Sequence, residues 1–554
     1  MTPRSTIRIA SLASCLMASL ALAQVPNTCD LPRDIDKYQL LRRLSLDLRG
    51  QLPSYEEYSQ LEAQPDVPTA MIEAWMQTEG FRQAMRRYHE ELFWPNVTNV
   101  SLNNTNSQLT QKTGEPALSL TSASRRNLYR GDPDVSTTEG VQCGDFEQTH
   151  FTDAGTYVPD PAFVHQNAMA LSDGGTKTVQ QEGWRLVNPY WDPSTQVKVC
   201  AFDAVETQST VIGGKTVGCD NYASNGRKEC GCGPNLTYCY SGTVAKQITT
   251  AMREQLALSV DDVTVGGKPY TDLLLSTTMY ENGALAQWRR TLANNLSFTR
   301  VYAIADPQEE IPAKPFTDQT WTKVDRGQLP TRQFHAGVLT LPAYLLRFQT
   351  NRARANRFRI DFECDYFVPP AQLTAQPGCQ DGTTELTQRC YCQACHQTLE
   401  PLAAHWGQFA EAGTSMLTDT TAFPRKNPSC VNSSSSFCTR FYITPSDADN
   451  SGSLIPYQYA DKTSSDPYRK AMGDNIEAGP RKLVNGIISD HTFARCTVKK
   501  LWGWFMKRDM HVLGAESEEA PVLDTLATGF EAHNYDLPWL IEQVVTQPQY
   551  RRVR

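Results

Sequence analysis

Sixteen cysteines, unevenly spread over 554 residues, constrain this chain more than any other feature. Cys200, Cys219, Cys230, Cys232 and Cys239 crowd one stretch, and Cys364, Cys379, Cys390, Cys392, Cys395, Cys430 and Cys438 crowd another. Disulfides persist outside the reducing cytosol, so this usage predicts an exported chain with covalently stapled regions. Pairing cannot be deduced from spacing. The first residues agree with export. Arg4 and Arg8 make a basic start, Ile9 to Leu22 is mostly apolar, and Ala21-Leu22-Ala23 fits a small-residue cleavage site. That makes 1–23 a signal peptide, with a mature start near Gln24. A spanning helix needs about 18–20 apolar residues, and no transmembrane segment is expected after signal removal. Leu12-Ala13-Ser14-Cys15 offers the alternative of lipid anchoring at Cys15.

The rest of the chain divides by pattern. Residues 24–100 read as a helical module. Leu40, Leu41, Leu44 and Leu48 recur at helical spacing, Gly50 is a stop, and Ser54 with Glu57 forms a capping box. Residues 101–245 are rich in Asn, Thr, Ser and Gly and read as a cysteine-rich loop and β insertion. Within it, Thr210 to Val217 spells a hairpin turning at Gly213-Gly214. Residues 246–370 form a middle helical module ending at Pro369-Pro370. Residues 371–554 hold a short cysteine cluster, then helix again from Gly479, with Val498, Leu501, Trp502 and Phe505 on one buried face. The predicted class is mainly α, a multi-module helical protein with a loop/β insertion. The formal charge of −8 argues against nucleic acid as a partner.

The string Cys392-Gln393-Ala394-Cys395-His396 carries chemistry. Two thiols three positions apart share one side of a helical turn and can form thioethers to haem vinyl groups. The next residue places an imidazole under the iron. A chain of this composition yields about 0.01 such matches by chance. The alternatives are a Cys392–Cys395 disulfide, or a zinc site recruiting Cys390 and His405. One covalent haem c, with His396 as proximal ligand, is the expectation. Thirteen other mature cysteines would then remain, an odd number, so at least one is expected free or intermolecular; Cys496 is expected as a buried thiol.

The distal iron position is open to Met472, in a loop before a helix, or to His335, with His405 and Met416 further candidates. Met, His and empty positions imply different potentials and reactivity. Arg347, Arg352, Arg354, Arg357 and Arg359 form a basic run, either a partner for haem propionates or the solvated face of a helix. Asp447 to Gln458 resembles a calcium loop lacking the final Glu. There is no G-x-S-x-G, Walker loop or H-E-x-x-H.

Several stretches resemble a family of exported haem proteins first catalogued as planctomycete cytochromes and found also in myxobacteria. They are Leu41 to Pro53, Val263 to Leu275, His335 to Thr340, Cys392 to His396 with Leu399-Glu400-Pro401, Phe493 to Cys496, and Tyr535 to Val545. At the attachment site the family more usually has Asp-Pro, where this chain has Glu400-Pro401. The resemblance implies a mostly helical c-type haem protein and says nothing of residues 101–245. The leading expectation is a monohaem cytochrome c of the periplasm or cell surface, passing electrons to redox partner proteins. The rivals are a haem enzyme with an open distal site, peroxidase-like or oxidative, and a disulfide-stapled surface-binding or scaffold protein.

Overall fold

The computed structural model describes residues 33–553 apart from 99–101, 103–106, 112, 121–142, 149–163, 171–175, 181–182, 221–223, 225–229, 295–310, 327–334, 367–374, 376, 383–385, 410, 412, 415–464, 466 and 514–516. The expected signal peptide, Cys15, Met416 and the calcium-like stretch lie outside the described residues.

The protein is mainly helical, with small two-stranded hairpins. Four helices come first: α1 (Lys37–Arg49), α2 (Tyr55–Glu62), α3 (Thr69–Met76) and α4 (Glu79–Phe93). Asp36 and Gln39 form a capping box on α1, and Gly50 closes it in the left-handed region at φ 69. Ser54 and Glu57 cap α2 in the same way. The middle of the chain forms α5 (Gly242–Thr264), α6 (Asp272–Leu275), α7 (Gly283–Asn294), α8 (Pro342–Arg347) and α9 (Asn351–Phe358), with a π-helical turn at Arg359–Glu363. Then follow α10 (Gln393–Ala404), α11 (Pro467–Ser489), α12 (Thr492–Met506), α13 (Ala520–Ala532), α14 (Leu537–Val545) and α15 (Pro548–Arg551).

These helices share one core, although the sequence pattern divides them among three modules. Leu41, Phe81, Met252, Leu339, Trp406, Trp502 and Leu540 belong to the same buried cluster. The two ends of the described chain are joined. Arg33–Asp34 pairs antiparallel with Arg552–Val553. Arg43 donates to the Tyr550 carbonyl at 2.6 Å, and the Tyr550 hydroxyl donates to Asp47 at 2.7 Å. The middle joins the C-terminal part through the Tyr270 N–H, which donates to the Tyr535 carbonyl at 2.9 Å. Cys364, after the π turn, is bonded to Cys496 on α12. Cys496 is therefore a disulfide partner rather than a free buried thiol. The bridge spans 132 residues, which in the loop-entropy picture is worth about 5 kcal/mol.

The stretch expected as a cysteine-rich insertion is stapled by Cys143–Cys200, Cys219–Cys230 and Cys232–Cys239. The hairpin at Ser209–Ile212 and Lys215–Gly218 turns at Gly213 and Gly214, with φ of 56 and 79. Two consecutive positive φ values suit a two-residue turn that matches strand twist, and glycine adopts them without a Cβ penalty. Leu109, Val187, Val199, Leu236 and Tyr240 pack into the main core, and the Trp288 indole donates to the Leu102 carbonyl at 2.9 Å.

The π turn buries Asp361, whose ion pair with Arg357 is 2.7 Å. Burial pushes its carboxyl up to about 7, with Arg357 and Lys500 opposing. The folded state therefore binds the proton more tightly than the unfolded state. Stability is fully present below the ordinary carboxyl range and falls as pH rises toward 7. Two buried histidines oppose this: His89 and His405, both pushed down to about 4 by burial, lose stability as pH falls. Comparing wild type with Asp361→Asn at each pH cancels the histidines. Urea unfolding should show the wild type losing about 2–4 kcal/mol relative to the variant between pH 4 and pH 8. A difference independent of pH would refute the assignment.

Candidate functional site

A disulfide between Cys379 and Cys390, with a bridge between Gln380 and Arg389, braces the chain just before the motif. Tyr391 sits in the left-handed region at φ 68. The N–H groups of Cys392 and Gln393 both donate to the Arg389 carbonyl, at 3.1 and 3.0 Å, turning the backbone into α10. Cys392 is the N-cap residue, and Cys395 and His396 lie in the first turn. Residues three and four apart on a helix are neighbours, so both thiols and the imidazole occupy one end of α10.

Both thiols are half-buried and unpaired. Among the described cysteines the other ten are in disulfides, so Cys392 and Cys395 stand apart. Their disulfide is not formed, and Cys390 is consumed by Cys379 rather than offered to a metal.

The His396 imidazole is oriented by one contact. Its Nδ1 meets the Glu400 carboxylate, one turn along the helix. Glu400 is fully buried, and Arg352 on α9 donates to the same oxygen at 2.7 Å. With Nδ1–H donating to the carboxylate, Nε2 of the neutral ring keeps its lone pair for a metal.

α10 contains Pro401, which lacks an N–H for the Gln397 carbonyl. The Tyr468 hydroxyl on α11 donates to that carbonyl at 3.3 Å. Asn475 donates to the Pro401 carbonyl at 3.0 Å, and Gln408 to the Ile476 carbonyl at 2.9 Å. α11 is thus clamped along α10, and its path breaks at Gly479, φ 68, before Pro480.

The distal candidates fall at different places. Met472 is in α11, not in a loop; Tyr468, Met472 and Ile476 recur every four residues as a stripe toward the core, which overrides the local glycines. It is fully buried. His335 is buried beside the 3₁₀ turn Gly337–Thr340, and its carbonyl accepts from Arg481 at 3.2 Å. His405, also buried, uses Nδ1 to donate to the Gly479 carbonyl at 2.8 Å, anchoring the break in α11.

The basic run is not one solvated face: Arg347 is exposed, and the other four arginines have partners. Arg354 is fully buried among carbonyls, Arg357 pairs with Asp361 and stacks on Trp94 at 4.4 Å, and Arg359 pairs with Asp365. Arg347 lies 5.7 Å from the Trp94 ring centre, beside an open cleft of about 460 Å³ that also involves Arg87 and Arg253. Arg352 is the one of the five that touches Glu400. Sequence reasoning missed the Arg352–Glu400–His396 chain. The four-residue spacing of His396 and Glu400 was its legible half; Arg352 arrives by tertiary packing.

Among the described residues no helix is long and apolar enough to cross a membrane, and five disulfides mark an oxidising compartment. Comparison with family models, curated proteins and solved structures finds no match to this chain.

The thiol assignment has a direct check. Alkylation of the natively folded, haem-free chain followed by peptide mapping should label Cys392 and Cys395 and spare the ten disulfide-bonded cysteines. Protection of Cys392 and Cys395 together, released by reductant, would mean that they are bonded to each other.

Proposed function

We propose that this protein is an exported c-type cytochrome with one covalently bound haem. The observation that carries this reading is the pair of unpaired thiols on one turn of α10, beside a histidine whose Nδ1 is already engaged by a buried carboxylate. Cys392 and Cys395 would form the two thioethers, and His396 would supply Nε2 as the proximal ligand. The residues fit the group: the thiols are accessible, and Nε2 makes no hydrogen bond among the described residues. When bound, haem supplies one-electron exchange, so redox partner proteins are required. The chain's own part is to orient the imidazole and to wall off the far end of α10 with α9 and α11. The proposed location is the periplasm or cell surface, where haem attachment and disulfides are both sustained. The resemblance to the planctomycete-type cytochromes points the same way.

The test is a reduced-minus-oxidised absorption spectrum of the chain produced with haem-maturation machinery. The native protein should show c-type bands, and Cys392→Ser/Cys395→Ser should show none after haem extraction. Identical spectra from the two would remove the reading.

A further inference from the structure

The strongest chemistry outside the motif is the buried carboxylate behind it. We infer that Glu400, backed by Arg352, is a positioning residue that fixes the His396 tautomer and makes His396 an electron-rich iron ligand, tuning the protein toward low reduction potential. The inference rests on the haem reading and deepens it.

Glu400 is fully buried and its Oε1 is shared between the His396 ring and Arg352, whose Nε donates at 2.7 Å. A buried carboxylate without partners costs several kcal/mol, so this one is kept in place by its contacts. Arg352 comes from α9, which packs along α10. The ring therefore has one favoured orientation, with Nδ1–H toward Glu400 and Nε2 away from it. A carboxylate accepting the Nδ1 proton raises the electron density available at Nε2. A more electron-rich ligand favours the oxidised, more positive iron. Arg352 works in the opposite sense, drawing charge from the same oxygen. The potential is then a balance between the two side chains, and the implied redox partners are those able to supply electrons at low potential.

Glu400→Gln retains shape and an acceptor for both neighbours while removing the charge. In the haem-loaded protein, redox titration should show the reduced-to-oxidised ratio at fixed poise rising about tenfold, about 59 mV for one electron. Arg352→Gln should move the ratio the other way. An unchanged ratio in Glu400→Gln, or a shift of the same sign in both variants, would overturn the inference while leaving the haem reading intact.

A second readout needs no haem. In ¹⁵N-histidine-labelled apo protein, His396 should be the Nδ1-protonated tautomer, and Glu400→Ala should release it to mixed tautomers. A mixed population in the wild type would overturn the positioning role. If the chain takes up no haem but holds the single tautomer, the haem reading fails and the positioning of His396 stands.

Discussion

The guanidinium of Arg354 is fully buried, and it donates to the carbonyls of Leu345, Phe348 and Gly413 and to the Asn351 side chain, at 2.9, 2.9, 3.2 and 2.6 Å. A charge so placed costs several kcal/mol unless its donors are met. Two of the acceptors, the Leu345 and Phe348 carbonyls, lie at the C-terminal end of α8, whose last carbonyls have no partner within the helix. The Tyr344 hydroxyl closes the arrangement by donating to the Arg354 carbonyl at 2.8 Å. The joint between α8 and α9 is thereby fixed. From it α9 sends Arg352 to Glu400, Phe358 to Trp406 at 6.2 Å between ring centres, and Arg357 to Trp94 and Asp361. The position of the site on α10 depends on this joint.

Much of the local structure was legible in the sequence. The leucine spacing and Gly50 marked α1, Ser54 and Glu57 marked the start of α2, and Gly213-Gly214 marked a hairpin. These devices act within a few residues, so a short window contains their whole cause. What lay further apart was hidden. Nothing near Cys496 announces Cys364, 132 residues away. The arginine run looked like one feature, yet its members serve separate partners, because the elements that meet them come from elsewhere in the chain. Met472 was expected in a loop before a helix; the stripe with Tyr468 and Ile476 makes it helix and core instead. The helical segments were read one by one from local spacing and stop signals; that their buried side chains belong to one cluster is a long-range fact no short window holds.

The site shows the same split. Cys392, Cys395 and His396 were readable as a motif because the pattern is one of spacing alone. Glu400 was noted as a departure from Asp at that position, its four-residue spacing from His396 was legible, and its burial against Arg352 needed the fold. The described cysteines divide in the same sense: ten staple the structure, and two stay unpaired on one helical turn. The proposal of an attached group rests on that contrast between a stapled scaffold and an open pair.

The most direct measurement of that claim is the denatured intact mass of the chain made with haem-maturation machinery, followed by mapping of the modified peptide. The account predicts a chain heavier by one haem, with the added mass on the peptide that holds Cys392 and Cys395. An unmodified chain, or one lighter by two hydrogens in that peptide because the two thiols have joined, would contradict it.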